Sequence, residues 1–193
     1  MRSTFIVVYD ACVLHSAVLR DFLLRLAGTG LFQAKLSNRI IDEAVASVVT
    51  RRKQLGRPIT DEQAAYLAEM MRRGIPDSVV EGYEALEQGL RLPDPDDRHV
   101  VAVAVRSGAQ VIVTVNLADF PSHVLAPLDL EAIHPDQFVL NVLDLPGGET
   151  AVVRVLKDQS AALSRPPKSV PDLVDGLERA GLVASTARIR GLI

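Results

Sequence analysis

Two stretches of the chain, Phe5-Ile6-Val7-Val8-Tyr9 and Val111-Ile112-Val113-Thr114-Val115, are runs of β-branched and aromatic residues with no polar alternation. A strand that meets water on one face alternates polar and apolar side chains, so an unbroken run reads as a strand covered on both faces. Strands of that kind belong to parallel sheets, whose crossovers place helices over both faces. Both runs end at polar residues: Asp10 follows the first, and Asn116 follows the second with Asp119 just beyond. In open parallel sheets the carboxyl ends of the strands are where ligands bind.

The intervening segments have helical periodicity. Val18, Leu19, Phe22, Leu23 and Leu26 share one face of a helix predicted over 16–27, with Gly28 and Gly30 as its stop. Ser37 is placed to cap a second helix, in which Ile40, Ile41, Ala44, Val45, Val48 and Val49 form the apolar face and Glu43 lies off it, before Arg51-Arg52-Lys53. Thr60-Asp61-Glu62-Gln63 has the capping-box spacing for a third helix, which Gly74 and Pro76 close. A short strand is predicted at 79–83. Asp97 opens a helix that turns Val100, Val101, Ala104 and Val105 inward, ends at Gly108 and feeds a strand at 110–115. Residues 128–133 read as another strand, and Pro135 as the first turn of the following helix.

This alternation predicts an α/β fold with a central, mostly parallel sheet covered on both sides. From about Leu145 the character changes. Pro146-Gly147-Gly148 breaks the chain, 149–163 reads as helix, Pro166-Pro167 breaks it again, and 171–180 is a short helix stopped by Gly181, leaving a basic end at Arg188 and Arg190. The expected division is a main domain over 1–144 and a helical extension over 145–193.

A chain of 193 residues with 48% apolar content buries one proper core. Its 23% charged residues are mixed in sign and sum to −3, which excludes a generally basic nucleic-acid coat and makes any such contact local. The single cysteine, Cys12, rules out an intrachain disulfide and a thiolate zinc site. No apolar run approaches the roughly 20 residues that cross a bilayer. The reading is a soluble, unexported, cytoplasmic protein.

Several acids compete between plain and chemical roles. Asp10 after a buried strand is costly unless capped, protonated or metal-bound. Glu43 taken alone is a solvated helix residue, one of Asp94, Asp96 and Asp97 is a helix cap, and Asp119 is placed equally well to cap the turn that Phe120 anchors. Taken together they tell more, because Asp10, Asp97 and Asp119 fall beside strand ends or the helix start facing them. Like charges repel by about 4 kcal/mol per pair at 4 Å for an effective dielectric of 20. A divalent cation removes that cost, and an oxygen-only donor set favours a hard ion such as Mg²⁺ or Mn²⁺ over Zn²⁺.

The stretches Val8-Tyr9-Asp10-Ala11-Cys12-Val13-Leu14, Ile41-Asp42-Glu43, Asp94-Pro95-Asp96-Asp97-Arg98-His99-Val100-Val101-Ala102 and Val113-Thr114-Val115-Asn116-Leu117-Ala118-Asp119-Phe120-Pro121 resemble, in order and spacing, the PIN domain nucleases. The resemblance covers residues 4 to about 140 and is closest to the VapC-like toxins of bacterial toxin–antitoxin pairs, one subgroup of which carries a C-terminal extension like this tail. It implies a PIN-like three-layer α/β/α fold with added C-terminal helices. It also implies a metal-dependent endoribonuclease, with Asp10, Glu43, Asp97 and Asp119 as catalytic and metal-binding acids. Asp10 and Asp97 are then direct ligands, Asp119 completes the ion site directly or through water, and Glu43 positions the attacking water or a second ion. Asp96 is the fallback for the third acid, Asp94 a supporting carboxylate, and Thr114 and Asn116 the polar pair that orients a carboxylate and shapes the loop. Neither His15 nor His99 is needed as a general base.

The implied cofactor is Mg²⁺, with Mn²⁺ as a substitute, and the implied partners are an RNA substrate, a small antitoxin docking near the helices at 37–73, and a second copy of the chain. Arg51-Arg52-Lys53, Arg72-Arg73, Arg98 and Arg188 are rim candidates for phosphate. Two other Mg²⁺ folds fit less well. A receiver domain places an acidic pair near the first strand, absent around Asp10, and a haloacid-dehalogenase-type phosphatase places a second aspartate where Cys12 stands. The remaining alternative is a catalytically inactive PIN-fold interaction module.

Overall fold

A computed structural model describes residues 5–75 and 77–193, so the expected stop at Pro76 and residue 4, where the resemblance begins, lie outside the described residues. Four short strands, β1 (Ile6–Tyr9), β2 (Gln33–Lys35), β3 (Val111–Val113) and β4 (Glu131–Ile133), form one all-parallel sheet in the order β2-β1-β3-β4. Val8 pairs with Lys35 on one side and Ile112 on the other, and Ile112 pairs with Ala132. The apolar runs therefore occupy the two central strands, where Val7, Val8, Tyr9, Ile112 and Val113 are fully buried. Connections leave β1 toward β2 in one direction and reach β3 and β4 in the other, which opens a crevice at the carboxyl ends of β1 and β3.

The helices are α1 (Ala17–Ala27), α2 (Asn38–Gln54), α3 (Asp61–Gly74), α4 (Glu84–Glu87), α5 (Arg98–Ser107), α6 (Ser122–Leu125), α7 (Pro135–Leu143), α8 (Gly148–Ala162), α9 (Val170–Arg179) and α10 (Val183–Arg190). The molecule is thus a three-layer α/β/α fold with C-terminal helices added. α5 packs across β1, β2 and β3, and Val100, Val101, Ala102, Val103 and Ala104 in its middle are all fully buried. The ring of Tyr9 meets Phe32 and Phe138 edge-on, and its hydroxyl donates to the Leu23 carbonyl at 3.3 Å, joining β1 to α1 and α7.

The predicted caps form. The Ser37 hydroxyl accepts from the amide of Ile40, Thr60 and Gln63 close a reciprocal capping box, and Gly108 ends α5 in the left-handed region at φ 67°. Four expectations need correction. Residues 79–83 hold no strand, only a parallel bridge between Leu36 and Val79 that prolongs the β2 edge before α4 begins. β2 itself was not anticipated, because Gln33-Ala34-Lys35 lacks β-branched residues and is held by pairing with β1. Val105 is 38% exposed and turns outward, and the strand expected at 128–133 is confined to Glu131–Ile133 by a 3₁₀ turn over Ala126–Leu128.

The tail folds back over α1. α8 and α9 pack on that helix, the Gln159 side chain donates to the Val18 carbonyl at 3.1 Å, and Gly176 lets α9 approach Val18 closely. α10, also not anticipated, is capped in trans: Asp136 of α7 accepts from the amides of Ala184 and Ser185, each at 2.8 Å. Burial pushes Asp136 upward, but the bonds from Ser185 and Ala184 outweigh it and hold the carboxyl below its usual range. The basic end is also corrected. Arg188 is shared between Asp144 and Glu149, and Arg190 between Asp175 and Glu178.

Candidate active site

Asp10 emerges from the carboxyl end of β1, its amide still donating to Val113 on β3, and only 5% of it is exposed. Its Oδ2 accepts the Thr114 hydroxyl at 2.7 Å and the Cys12 thiol at 2.9 Å. Those two donors are themselves fixed, since the Asn116 amide donates to Thr114 Oγ1 at 3.0 Å and the Val115 amide to Cys12 Sγ at 3.3 Å. Burial, reinforced by the Asp10 charge, pushes the Cys12 thiol up to about 12, so it remains a neutral donor. Asp10 is therefore locked through one oxygen, while Oδ1 accepts from no group among the described residues.

Asp97 stands at the end of the 3₁₀ turn Pro95–Asp97 that leads into α5. Burial and then the negative charges of Asp10, Asp94 and Asp119 push its carboxyl up to about 6. Asp10, Asp94 and Asp119 are therefore near enough for their charges to act on Asp97. Asp94 caps the turn, its Oδ1 accepting from the Asp96 amide at 2.9 Å, whereas the Asp96 side chain is exposed. Asp119 ends the 3₁₀ turn Leu117–Asp119, which Phe120 anchors in the core.

Glu43 stands apart from this group, on α2. Its Oε2 accepts from His99 Nε2 at 3.1 Å and its Oε1 from Arg39 Nε at 3.1 Å. Burial raises this carboxyl, but those two bonds and the charges behind them win and hold it below the usual range. Arg39 reaches further, to Glu87 at 3.4 Å and to the Asp96 carbonyl at 3.2 Å, tying α2 to α4 and the acidic turn. His99, 1% exposed, is the link between Glu43 and the cup, since it also lies close enough to Asp97 to favour that residue's charged form.

Sequence reasoning passed over His99 and Cys12 as site partners. A histidine at the head of the fully buried Val100–Ala104 stretch is the signal for His99, because a buried ring needs a polar partner. Cys12 gave no such signal. His15 serves the backbone, its Nδ1 meeting the Cys12 carbonyl. Arg72 and Arg73 are engaged by Asn38, Asp42 and Glu69, and Nε of Arg98 is buried without an acceptor among the described residues.

The donor set fits a hard divalent cation. Every candidate ligand is a carboxylate oxygen, and Oδ1 of Asp10 is left open among the described residues. Among the described residues, no three His, Cys, Asp or Glu side chains close into a preformed ligand cluster. The cup therefore gathers charge without converging on a single point.

Comparison with known proteins finds two family matches. The PIN domain matches residues 6–118 and the VapC50 C-terminal domain matches residues 135–191. The PIN match takes in Asp10, Glu43 and Asp97 and stops one residue before Asp119. A curated protein of Mycobacterium tuberculosis (strain ATCC 25618 / H37Rv), named "Putative ribonuclease VapC50", is 44% identical over 93 residues, 48% of this chain and 54% of that protein. The chain thus spans about half the length of the curated relative it matches. No solved structure matches. With its parallel sheet, its acids at the β1–β3 crevice and a PIN match over more than half its length, this chain belongs to the PIN domain family, with a VapC50 C-terminal domain behind it.

Proposed function

We propose that the chain is a divalent-metal-dependent endoribonuclease and the toxin of a bacterial type II toxin–antitoxin pair. One observation carries this reading: Asp10, buried at the carboxyl end of β1, is held through Oδ2 by Thr114 and Cys12, while Oδ1 accepts from no group among the described residues. Stability alone gives no reason to bury a carboxylate with one oxygen unpaired. The name of the curated relative supports RNA as the substrate class.

Asp10, Asp97 and Asp119 would hold Mg²⁺, or Mn²⁺ in its place. When bound, such an ion lowers the pKa of water and neutralises charge growing on the phosphate oxygens. The residues of the chain do the rest. Thr114 and Cys12 fix one oxygen of Asp10 so that the other is presented without rotational freedom, and Asn116 holds the Thr114 hydroxyl through its amide. Glu43, kept ionised by His99 and Arg39, orients a water by accepting its hydrogen bond and is a poor proton acceptor near neutrality.

Residues 1–144 form the nuclease unit in this reading, residues 145–193 its extension, and the protein works in the cytoplasm. Among the described residues no helix is long and apolar enough to cross a membrane. A small antitoxin partner is supported by α3, where Tyr66 is 67% exposed and Met70 borders a cavity of about 340 Å³ with Leu24, Leu67 and Met71. Homodimerisation belongs to the same proposal. The test is cleavage of single-stranded RNA by the purified chain with Mg²⁺, with EDTA, and with Asp10→Asn or Asp97→Asn. Cleavage only by the wild type with metal is expected. Activity that survives EDTA overturns the mechanism, and growth arrest unchanged by Asp10→Asn points to the inactive interaction module.

A further inference from the structure

Six arginines, Arg25, Arg39, Arg72, Arg73, Arg188 and Arg190, meet carboxylates. Arg51, Arg52 and Arg179 meet none among the described residues, and they line the same cleft. It has a volume of about 590 Å³ and lies between the last turn of α2, the start of α1 and the last turn of α9. His15 and Arg20 complete its polar wall, Val48 and Leu55 its apolar one, and no Asp or Glu lines it. Basic residues in the last turn of a helix offset its dipole, which accounts for their positions on α2 and α9 separately. It does not account for Arg51 and Arg52 of α2 meeting Arg179 of α9 and Arg20 of α1 around one cavity whose lining holds no carboxylate.

One chain of bonds joins the cleft to the acidic cup, and α2 carries it toward Glu43. His15 bonds the Cys12 carbonyl, and Cys12 bonds Asp10. Along α2, Ser47, Thr50, Arg51 and Gln54 line a second cavity, of about 360 Å³, which shares His15 and Arg51 with the first. Glu43 precedes them on the same helix, so Arg51 lies about 12 Å along the axis from Glu43. That is a distance of a few nucleotides.

We infer that this cleft binds backbone phosphates of the RNA strand entering the acidic cup, with Arg179 of the C-terminal extension and Arg51 and Arg52 of α2 as the contacts, so that the extension is part of the substrate surface. The inference rests on the ribonuclease reading and adds to it a cationic surface that the acidic cup itself cannot provide. Charge complementarity selects a polyanion. Ser47, Thr50 and Gln54 supply neutral hydrogen-bonding groups of the kind that also contact phosphate and sugar.

The test uses the full chain in EDTA, so that the cup takes no part, with a fluorescein-labelled uridine 12-mer as probe and binding read by anisotropy across NaCl concentrations. Arg51→Gln with Arg179→Gln is expected to weaken binding roughly tenfold and to lower the salt slope by about 1.4, the value for two phosphate contacts on a single strand. Arg154→Gln with Lys157→Gln, the same charge change on α8, should leave both nearly unchanged. Equal losses in the two double variants would overturn the cleft as a site. So would RNA binding that survives the Arg51/Arg179 change while binding of a glutamate-rich 12-residue peptide is lost, an outcome that assigns the cleft to a protein partner. Matching thermal melts establish that the exposed substitutions leave the fold intact. Cleavage with Mg²⁺ separates this inference from the reading it rests on: loss with Asp10→Asn but an unchanged KM with Arg179→Gln removes the cleft alone, whereas no cleavage by the wild type removes the nuclease.

Discussion

Asp10 has one oxygen saturated and one open, and that asymmetry depends on Thr114, which is fully buried. Thr114→Val removes the donor to Asp10 and the acceptor of the Asn116 amide together. Partners of metal-binding side chains are typically worth 10–100-fold in affinity or activity, and about that loss is expected here. It should appear chiefly as a higher Mg²⁺ concentration for half-maximal cleavage, with a stability cost of about 1 kcal/mol. Asp97 behaves in the opposite sense. Its folded pKa of about 6 lies above its unfolded value, so the metal-free fold loses stability as pH rises from about 4 to 6. A half-exposed group delivers only part of such a shift, about 1 kcal/mol. Asp97→Asn should therefore raise the Tm in EDTA by about 2–4 °C at pH 7 and by almost nothing at pH 4, while abolishing stabilisation by Mg²⁺. An unchanged Tm at pH 7 would mean that the acids do not burden the fold. The strand-end acid Asp10 was visible in the sequence because a buried apolar run stops at it. The attachment of Glu43 to His99 was not, since it depends on how α2 and α5 meet.

The elements best read in advance were those whose burial and punctuation agree. β1 and β3 are apolar throughout because both faces are covered, α3 carries its own capping box, and α5 its own glycine stop. β2 and α10 escaped because tertiary partners make them: β2 takes its register from β1, and α10 has its first amides satisfied by Asp136 across the fold. The Pro146-Gly147-Gly148 break was legible as a turn, but the sequence did not show that its two glycines answer different demands. Gly147 has φ 83°, whereas a Cβ on Gly148 would sit 1.9 Å from the Val142 carbonyl oxygen. Gly147→Ala should cost about 1 kcal/mol from backbone strain. Gly148→Ala forces α8 away from α7, and should cost more than twice as much by chemical denaturation, because the obstacle is backbone and cannot rotate aside. Equal costs for the two variants would contradict the close approach of α7 and α8.

At the scale of the whole molecule, the sequence marks a boundary near Leu145 that the packing crosses. Val152, Val155, Leu156, Leu173, Val174, Leu177, Leu182 and Ile189 from the tail lie in the same buried cluster as Tyr9, Phe22 and Phe138. Composition could suggest that 145–193 is helical, but not that its apolar faces complete the layer over α1. Removing residues 145–193 would expose that layer at roughly 25 cal/mol for each Å² of apolar surface returned to water, against a net stability of only about 5–15 kcal/mol for a whole domain. The truncated chain is therefore expected to lose cooperative unfolding, bind a hydrophobic dye and aggregate, although all four candidate acids remain in it. Supplying residues 145–193 as a separate polypeptide should restore part of the cooperative transition, because the lost contacts are packing contacts. A truncated chain with a sharp melt and no dye binding would show that residues 1–144 stand alone, and would make the extension an accessory to binding with no part in the core.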